Sequence, residues 1–365
     1  MEPEREPDEK SGHQEEPEQP EKPEQERRSP ARSAGLLAVA FLGTLVVLLG
    51  LALGFRGLSA PDGSVGANPS DGATATSPPD ETTTTLPPLI TPTPIASASG
   101  EPVLVGAGDI GTCGFDGDEA TAGLLDGIPG TVFTAGDNAY DNGSAQDFAE
   151  CYSQSWGRHR DRTRPAAGNH DWVTENAQGY RDYFGPAAIN EDGDTWYSYD
   201  LGAWHVIVLD SNCDKVGGCG PDSRQGRWLA ADLAASDAFC TIAIWHHPRF
   251  SSGDEHGNDP SVDPFWRALY AAGVDVVVNG HDHDYERFAP QDPNGAEDRV
   301  RGTREFVVGT GGTPLRGFNA PEPNSELRLA VTQGVIKFTL HDTSYDWAWL
   351  PTTDTVTDTG YAACH

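Results

Sequence analysis

Basic side chains are scarce in this 365-residue sequence, which has four lysines and twenty arginines against 56 acidic residues. The formal net charge at pH 7 is −32, and no lysine-rich tract occurs. A nucleic-acid-binding protein needs a stripe of lysine and arginine to displace phosphate counterions, and charge-based binding to anionic lipid needs a polybasic patch. The composition therefore excludes a nucleic-acid partner and disfavours a charge-based lipid-binding surface.

Cysteine is absent from the first hundred residues, and all six cysteines lie between positions 113 and 364. An even number of cysteines beyond an apolar N-terminal segment predicts disulfide bonds and an oxidising compartment. Cys213 and Cys219 flank a glycine-rich hairpin, and we predict that they form one pair. The alternative is a set of buried free thiols.

Apolar side chains are almost absent from residues 1–33, which are rich in Glu, Pro, Gln and Arg. Such a segment cannot bury enough apolar surface to offset its ordering entropy, so we predict a disordered tail. Residues 34–55 are the opposite case, because they contain no charged side chain. As a helix they would be about 33 Å long, enough to cross a bilayer core of about 30 Å. We therefore predict a transmembrane signal-anchor helix over residues 34–55.

The charges that flank this apolar segment predict its orientation. Four basic residues occur from Lys22 to Arg32, whereas Arg56 alone follows the segment closely. The positive-inside rule then places the N-terminus in the cytoplasm and the rest of the chain outside. The alternative is secretion after signal-peptide cleavage, but the apolar run is longer than a usual signal, and Leu58 stands where cleavage needs a small residue. We therefore expect an uncleaved membrane anchor.

Composition changes again after the apolar segment. Residues 56–100 are rich in Pro, Thr and Ser, which is typical of an extended linker that holds the following part away from the membrane. Residues 101–365 contain short apolar runs that end at glycine or polar residues, which is typical of buried strands. We expect these residues to form the folded domain.

Helical patterns separate the apolar runs of this domain. They occur over residues 144–156, 223–235 and 261–272, the last with Pro264 in its first turn and Gly273 just beyond its end. The C-terminal residues 334–350 alternate between apolar and polar side chains, which predicts antiparallel strands. Together these patterns predict the α/β class, with mixed sheets.

Four apolar runs or loops end in a glycine followed by a residue that can bind a metal ion. Glycine lets the backbone turn sharply and approach a buried ion closely, and ligands of open α/β sheets lie beyond the carboxyl ends of the strands. One such dipeptide alone would carry little information, because aspartates after strands commonly cap helices. The four dipeptides are Gly108-Asp109, Gly136-Asp137, Gly168-Asn169 and Gly280-His281.

Further potential ligands accompany these dipeptides. Tyr140 follows Asp137 by three positions, and its phenolate would be a hard ligand suited to Fe(III). His246 ends an apolar run, and His283 lies two positions after His281, on the same side if the strand continues. Imidazole nitrogens combined with carboxylate oxygens suit iron, zinc or manganese. The sequence therefore predicts a metal centre.

Five motifs carry these residues in a fixed order. This order resembles that of the calcineurin-like metallophosphoesterases and, within them, the purple acid phosphatases. Tyr140, and Gly111 where most of the wider superfamily has histidine, make the narrower match. The resemblance extends from about residue 101 to residue 312 and implies a sandwich of two mixed β-sheets flanked by helices. The motifs are Asp-Ile-Gly at 109–111, Gly-Asp-x-x-Tyr at 136–140, Gly-Asn-His-Asp at 168–171, His-x-Pro at 246–248 and Gly-His-x-His-x-Tyr-Glu-Arg at 280–287.

The resemblance also implies how the residues divide between two metal ions. Asp109, Tyr140 and His283 would hold Fe(III). A second metal, which would be Fe, Zn or Mn, would be held by Asn169, His246 and His281. Asp137 would bridge the two ions.

The resemblance and the chemistry of paired cations imply one mechanism. Two cations about 3.5–4 Å apart clamp an in-line displacement at phosphorus and lower the pKa of a bound water, which gives the attacking hydroxide. His170 would then stabilise the phosphate or protonate the leaving alcohol, with Asp171 orienting its ring. His256 matches a substrate-facing histidine, and His247 is expected to point away from the site.

These expectations define a membrane-anchored, extracytoplasmic phosphatase that hydrolyses small phosphomonoesters. One alternative keeps the two metals but has a phosphodiester or a nucleotide as substrate. A second alternative, from a different class, is a non-catalytic binding module on the cell surface. The complete set of ligand-type residues argues against this last possibility, because a domain that had lost catalysis is expected to have lost a metal ligand first.

Overall fold

The structure is a computed structural model that describes residues 100–354 and 356–365. The predicted tail over residues 1–33, the predicted membrane helix over 34–55 and nearly all of the predicted linker over 56–100 lie outside the described residues. Within the residues that are described, no helix combines the length and the apolar character that a membrane crossing requires.

Thirteen β-strands form the framework of the described residues. Most are short apolar runs that end at or next to a glycine or polar residue, as the sequence predicts. In chain order they are β1 (Val103–Ala107), β2 (Thr131–Ala135), β3 (Thr163–Ala166), β4 (Tyr197–Leu201), β5 (Trp204–Val208), β6 (Cys240–Ile244), β7 (Val276–Asn279), β8 (Tyr285–Phe288), β9 (Arg304–Val308), β10 (Ser325–Leu329), β11 (Gly334–Leu340), β12 (Ser344–Pro351) and β13 (Asp358–Ala363).

The strands form two mixed sheets, as the resemblance implies. The six-stranded sheet has the order β13-β12-β11-β1-β2-β3, in which β1, β2 and β3 are parallel and β11, β12 and β13 are antiparallel. The seven-stranded sheet has the order β10-β8-β9-β7-β6-β5-β4, with a parallel centre of β5, β6, β7 and β9. The antiparallel strands predicted over residues 334–350 are β11 and β12.

The largest apolar cluster includes buried residues of both sheets, such as Leu104 and Phe133 of one sheet and Ile242 and Phe306 of the other. This shared cluster shows that the two sheets pack face to face. Side chains alternate along each strand, so Ile207 of β5 belongs to a second cluster on the opposite face of its sheet. Helices cover that outer face.

Five α-helices connect the strands of the described region, together with shorter helical turns. Ser223 caps the fourth helix through its side chain, and Gly273 ends the fifth with a φ of 77°. Both features agree with the helical patterns predicted over residues 223–235 and 261–272. The helices are α1 (Gly117–Asp126), α2 (Ala145–Asp147), α3 (Gln178–Phe184), α4 (Arg224–Ala235) and α5 (Asp263–Ala272).

The single helix predicted over residues 144–156 is wrong in one respect. Helix α2 continues as a π-helical turn over Phe148–Tyr152, and a 3-10 helix then begins at Trp156. The chain leaves the helical conformation at Ser155, whose hydroxyl donates to Asp118, while the Trp156 indole donates to the Thr121 hydroxyl. These hydrogen bonds hold residues 155 and 156 against α1, so the chain leaves the helix axis there and the helix is interrupted.

All six cysteines are paired. The predicted Cys213–Cys219 disulfide is present. A second disulfide, Cys113–Cys151, ties the loop that follows β1 to the π-helical turn. The third, Cys240–Cys364, joins the start of β6 to the end of the chain. Two of the three disulfides therefore connect segments that are distant in sequence, and one of these two restrains a loop next to the candidate site.

Candidate metal centre

The residues predicted to bind metal meet where strands of both sheets end. In the six-stranded sheet, β1, β2 and β3 end at Ala107, Ala135 and Ala166, just before the segments that carry Asp109, Asp137 with Tyr140, and Asn169. In the seven-stranded sheet, β6 and β7 lead directly to His246, His281 and His283. Because the parallel strands of each sheet end on the same side, the two sheets deliver ligand-type side chains to one place.

Three of these side chains form a first group of possible ligands. The Tyr140 hydroxyl lies 2.8 Å from Oδ1 of Asp109 and 3.3 Å from Nε2 of His283. The same His283 nitrogen is 3.4 Å from Asp109 Oδ1. The three atoms are thus mutual neighbours, although the residues come from three different strand ends. They are the residues that the resemblance assigns to one iron ion.

Three other side chains form a second group. Nε2 of His246 lies 3.0 Å from Oδ1 of Asn169 and 3.1 Å from Nδ1 of His281. His246 is completely buried, whereas Asn169 and His281 are half-buried. The arrangement is open on the side of these two residues, which is where a substrate can approach.

Asp137 lies between the two groups. Its Oδ2 is 2.9 Å from the Tyr140 hydroxyl and 3.3 Å from Nε2 of His246. Its Oδ1 accepts a hydrogen bond from the backbone N–H of His170 at 2.8 Å, which fixes the carboxylate plane. A carboxylate in this position can contact cations on both sides.

Backbone carbonyls orient two of the imidazole rings. Nδ1 of His246 lies 2.8 Å from the carbonyl oxygen of Ala135, and Nδ1 of His283 lies 3.0 Å from that of Pro314. A carbonyl oxygen only accepts, so each Nδ1 carries the proton and each Nε2 faces the group with a lone pair when the ring is neutral. This is the tautomer that a metal ligand requires.

The backbone at this site is held in unusual conformations. Asp109, Asp137 and His281 have φ angles of 61°, 49° and 74°, in the left-handed region that side-chain-bearing residues seldom occupy. Each such residue costs about 1–3 kcal/mol, and such strain concentrates at functional sites. Glycine makes the close approach possible, because a Cβ atom on Gly168 would overlap the Asp137 carboxylate.

Electrostatic interactions couple Asp137 to His246. Burial alone would raise the pKa of Asp137, but the charge and hydrogen bond of His246, together with His170 and His281, lower it below its usual range. Burial disfavours charge on His246, but Asp137 outweighs this effect and raises the pKa of His246 to about 9. The two residues therefore form a buried ion pair.

Burial, and then the charges of Asp109 and Asp137, raise the pKa of the Tyr140 phenol well above 10. A bound cation reverses this influence, because its charge favours the phenolate. Two buried carboxylates, a buried phenol, an amide oxygen and three imidazoles form a donor set suited to first-row transition metals. The residues present therefore fit a two-metal centre.

His170 lies beside the two groups without belonging to either. Its ring packs against Tyr140 with 4.3 Å between the ring centroids, and its Nε2 is 3.9 Å from Oδ2 of Asp137. Its Nδ1 lies 2.6 Å from the backbone carbonyl oxygen of Asp141. About a third of its side chain is exposed, so it can face a substrate.

The predicted role of Asp171 as the partner of His170 requires correction. The Asp171 carboxylate accepts hydrogen bonds from the backbone N–H of Gly168 at 2.8 Å and from Nδ2 of Asn138 at 2.9 Å. It points into the protein because these donors lie beneath the loop, whereas the His170 ring turns towards the site. Asp171 therefore holds the ligand loop, and Asp141 orients His170.

The structure also corrects the expectation that His247 points away from the site. One ring nitrogen each from His246, His247 and His281 lies within 4.8 Å of the other two. Burial and the charge of His246 lower the pKa of His247 to about 4, which keeps its ring neutral. The expectation assumed strand alternation, but β6 ends at Ile244, before these two histidines.

Sequence reasoning missed Arg316, which reaches the rim of the site. Its guanidinium donates to Nε2 of His256 at 2.7 Å and pairs with Glu255 at 2.8 Å. The His256 ring stacks on His281 with 3.9 Å between centroids, so both side chains lie next to the second group. Since Arg316 only donates, Nε2 of His256 must accept, and its proton is on Nδ1. No motif in the sequence marks Arg316.

The family model described as calcineurin-like phosphoesterase matches residues 104–285. An uncharacterized Mycobacterium tuberculosis protein, Rv2577, is 31% identical over 204 residues, which cover 46% of this chain and 39% of the relative. Purple acid phosphatase 15 of Arabidopsis thaliana is 28% identical over 236 residues, covering 53% of this chain and 42% of that protein. The matched part thus spans about two fifths of the length of these relatives.

Solved structures show the same fold. The purple acid phosphatase PPD1 from yellow lupin superposes with a TM-score of 0.60 at 20% identity, covering 74% of this chain and 55% of the lupin chain. At this identity the likeness concerns the fold alone. Residues 104–285 thus match a calcineurin-like phosphoesterase domain, and the curated relatives include purple acid phosphatases.

Proposed function

The chain belongs to the calcineurin-like phosphoesterase family through residues 104–285, and from this premise we propose that it is a two-metal phosphatase that hydrolyses small phosphomonoesters. One observation carries the proposal. Seven ligand-type side chains from five strand ends converge, and Asp137 lies between two groups of three, 2.9 Å from Tyr140 and 3.3 Å from His246.

The residues of the two groups would hold one metal each. Asp109, Tyr140 and His283 form the group suited to Fe(III), because it contains the phenol and a buried carboxylate. Asn169, His246 and His281 would hold a second ion, which we propose to be Fe, Zn or Mn. When bound, the metals supply positive charge to the phosphate oxygens and lower the pKa of a water molecule.

His170 would serve the leaving group. Its Nδ1 proton is committed to the carbonyl oxygen of Asp141, so only the imidazolium form has a proton on Nε2. This Nε2 lies 3.9 Å from Oδ2 of Asp137, the carboxylate between the two groups. His170 can then donate the Nε2 proton to the ester oxygen as the bond to phosphorus breaks.

Asp171 acts on the site indirectly. By accepting from the backbone of Gly168 and from the side chain of Asn138, it holds the loop that carries Asn169 and His170 against the loop that carries Asp137. It therefore positions a ligand, the bridging carboxylate and the proton donor relative to one another.

We also propose that residues 34–55 anchor the chain in a membrane with the phosphatase domain on the extracytoplasmic side. The absence of charge in this segment and the basic residues before it support the orientation. Three disulfides support an oxidising compartment. Retention of the full chain in carbonate-washed membranes, with activity on an impermeant substrate added to intact cells, is expected. A chain recovered in the soluble cytoplasmic fraction would contradict the anchor.

The enzymatic proposal is tested on the full chain loaded with iron and zinc. We expect release of nitrophenol from p-nitrophenyl phosphate, and loss of at least about 10³-fold in kcat on Asp137→Asn, because the shared ligand loses its charge. Asp161→Asn, at an exposed position outside the site, is the matched control. Faster hydrolysis of bis(p-nitrophenyl) phosphate would instead identify a phosphodiesterase. A folded, metal-loaded and inactive chain would favour a binding module.

A further inference from the structure

We propose that His247 is a third imidazole ligand at the second metal position, which makes this position selective for a nitrogen-preferring divalent ion such as Zn²⁺. The inference rests on the proposed two-metal function and extends it. The resemblance assigns Asn169, His246, His281 and the bridging Asp137 to this position and leaves His247 without a role.

The position of the His247 ring carries the inference. Its centroid is 4.4 Å from that of His281 and 4.9 Å from that of His246, and the three rings are inclined to one another. One nitrogen of each ring lies within 4.8 Å of the others. Three imidazole nitrogens this close together can contribute to the binding of a single cation.

Ser211 holds His247 in this orientation. Its Oγ lies 2.7 Å from Nδ1 of the His247 ring and also accepts from the His247 backbone N–H at 3.0 Å. An Nδ1 proton donated to Ser211 leaves Nε2 with its lone pair free, as metal-binding histidines require. The Trp245 indole donates to the His247 carbonyl oxygen at 2.7 Å, which restrains the backbone on the other side. Ser211 and Trp245 thus orient His247 in the way that hydrogen-bonding neighbours commonly orient metal-binding histidines.

The chemical consequence concerns which metal is bound. With His247 the second group offers three imidazole nitrogens, one amide oxygen and one shared carboxylate oxygen. Imidazole favours Zn²⁺, Ni²⁺ or Cu²⁺, whereas Mn²⁺ and Mg²⁺ favour oxygen donors. A third imidazole therefore increases the ratio of Zn²⁺ affinity to Mn²⁺ affinity at this position.

The test measures metal binding rather than catalysis. The full chain is stripped of metal and titrated with Co²⁺, whose visible absorption reports the number and type of its ligands. We expect His247→Ala to weaken the second Co²⁺ binding step by about tenfold or more and to change its spectrum. It should also reduce the preference for Zn²⁺ over Mn²⁺ in competition. His247→Gln, which keeps a polar side chain of similar reach, should show the same spectral change.

Two matched variants separate the possible outcomes. His246→Ala removes a ligand that the proposed function requires, and His341→Ala removes a histidine that pairs with Glu101 and Asp346 away from the site. If His246→Ala abolishes the second binding step while both His247 variants bind like the parent, His247 is no ligand and the inference is overturned. If even His246→Ala leaves Co²⁺ binding unchanged, the two-metal function itself fails. Circular dichroism and thermal unfolding exclude misfolded variants.

Discussion

The hydroxyl of Tyr140 lies 2.8 Å from Oδ1 of Asp109, a residue 31 positions earlier in the chain. It also lies 2.9 Å from Oδ2 of Asp137, so one phenol proton faces two buried carboxylates. With the phenol deprotonated, these side chains would offer a cation a set of hard oxygen donors. Tyr140 is therefore the residue whose chemistry most clearly distinguishes the proposed iron position.

Replacement of Tyr140 tests that position. In the iron-loaded chain we expect visible absorption from charge transfer between the phenolate and Fe(III), and Tyr140→Phe should abolish it. The phenyl ring keeps the packing against His170, so the fold should remain. Absorption spectra and iron content measure the result. Colour that persists in Tyr140→Phe would show that the ligand assignment is wrong.

Gly168 tests the close approach of the two ligand loops. A Cβ atom on Gly168 would overlap both the carboxylate and the backbone nitrogen of Asp137, so Gly168→Ala should displace the bridging ligand and reduce metal content. Gly123 is a matched control, because it lies on the exposed side of α1 with open space around it. Gly123→Ala should keep metal binding and raise the free energy of unfolding by about 0.5–1 kcal/mol. Equal metal content in both variants would contradict the account.

Arg316 should strengthen substrate binding at the rim. It is a donor-only side chain beside His256, which stacks on His281, and it can donate to the oxygens of a phosphate. We expect Arg316→Ala to raise KM for p-nitrophenyl phosphate about tenfold, equivalent to about 1.4 kcal/mol, with a smaller change in kcat. Arg316→Lys should recover part of the affinity, and Arg299→Ala, on the surface, should have no effect. A fall in kcat at unchanged KM would argue against this role.

His205 should make stability depend on pH. Burial lowers the pKa of His205, but hydrogen bonds from its ring to Asp232 and Asp200 outweigh this effect, so the pKa is raised above 6.5 in the folded chain. The folded state then binds the proton more tightly than the unfolded state, and the stabilisation is fully present below pH 6.5. It is lost as the pH rises through the folded pKa.

Denaturant unfolding at several pH values measures this contribution. The free energy of unfolding should decrease between pH 6.5 and the folded pKa in the parent, and His205→Gln should flatten that decrease. His159→Gln is an informative comparison, because burial lowers the pKa of His159. An identical pH profile in parent and His205→Gln would show that the ion pairs contribute nothing.

Local patterns in the sequence predicted the framework of the site. Each of the dipeptides at 108–109, 136–137, 168–169 and 280–281 follows a strand. Three of these strands are visible in the sequence because an apolar run stops near a glycine, whereas β3 contains Arg and Pro and has no such pattern. Parallel strands then place these residues on one side of a sheet. The Cys213–Cys219 disulfide was predictable from its local glycine-rich sequence. The sandwich of two mixed sheets was predictable from the family resemblance.

The errors concern contacts between distant segments. Asp171 turns to Gly168 and Asn138 rather than to His170, because the loops pack across one another in three dimensions. His247 faces the site because the strand has ended and Ser211, 36 positions earlier, holds its ring. Arg316 approaches His256 across 60 positions of sequence. Residue type and spacing contain no signal for such long-range contacts.

The measurement that tests the central claim most directly is the metal content of the purified full chain, determined by mass spectrometry after exhaustive dialysis. The parent is predicted to retain two metal ions per chain, and Asp137→Asn, which weakens the ligand shared by both groups, is predicted to retain fewer than one. A folded parent chain that retains no stoichiometric metal, or an Asp137→Asn chain with the same content as the parent, would contradict the account.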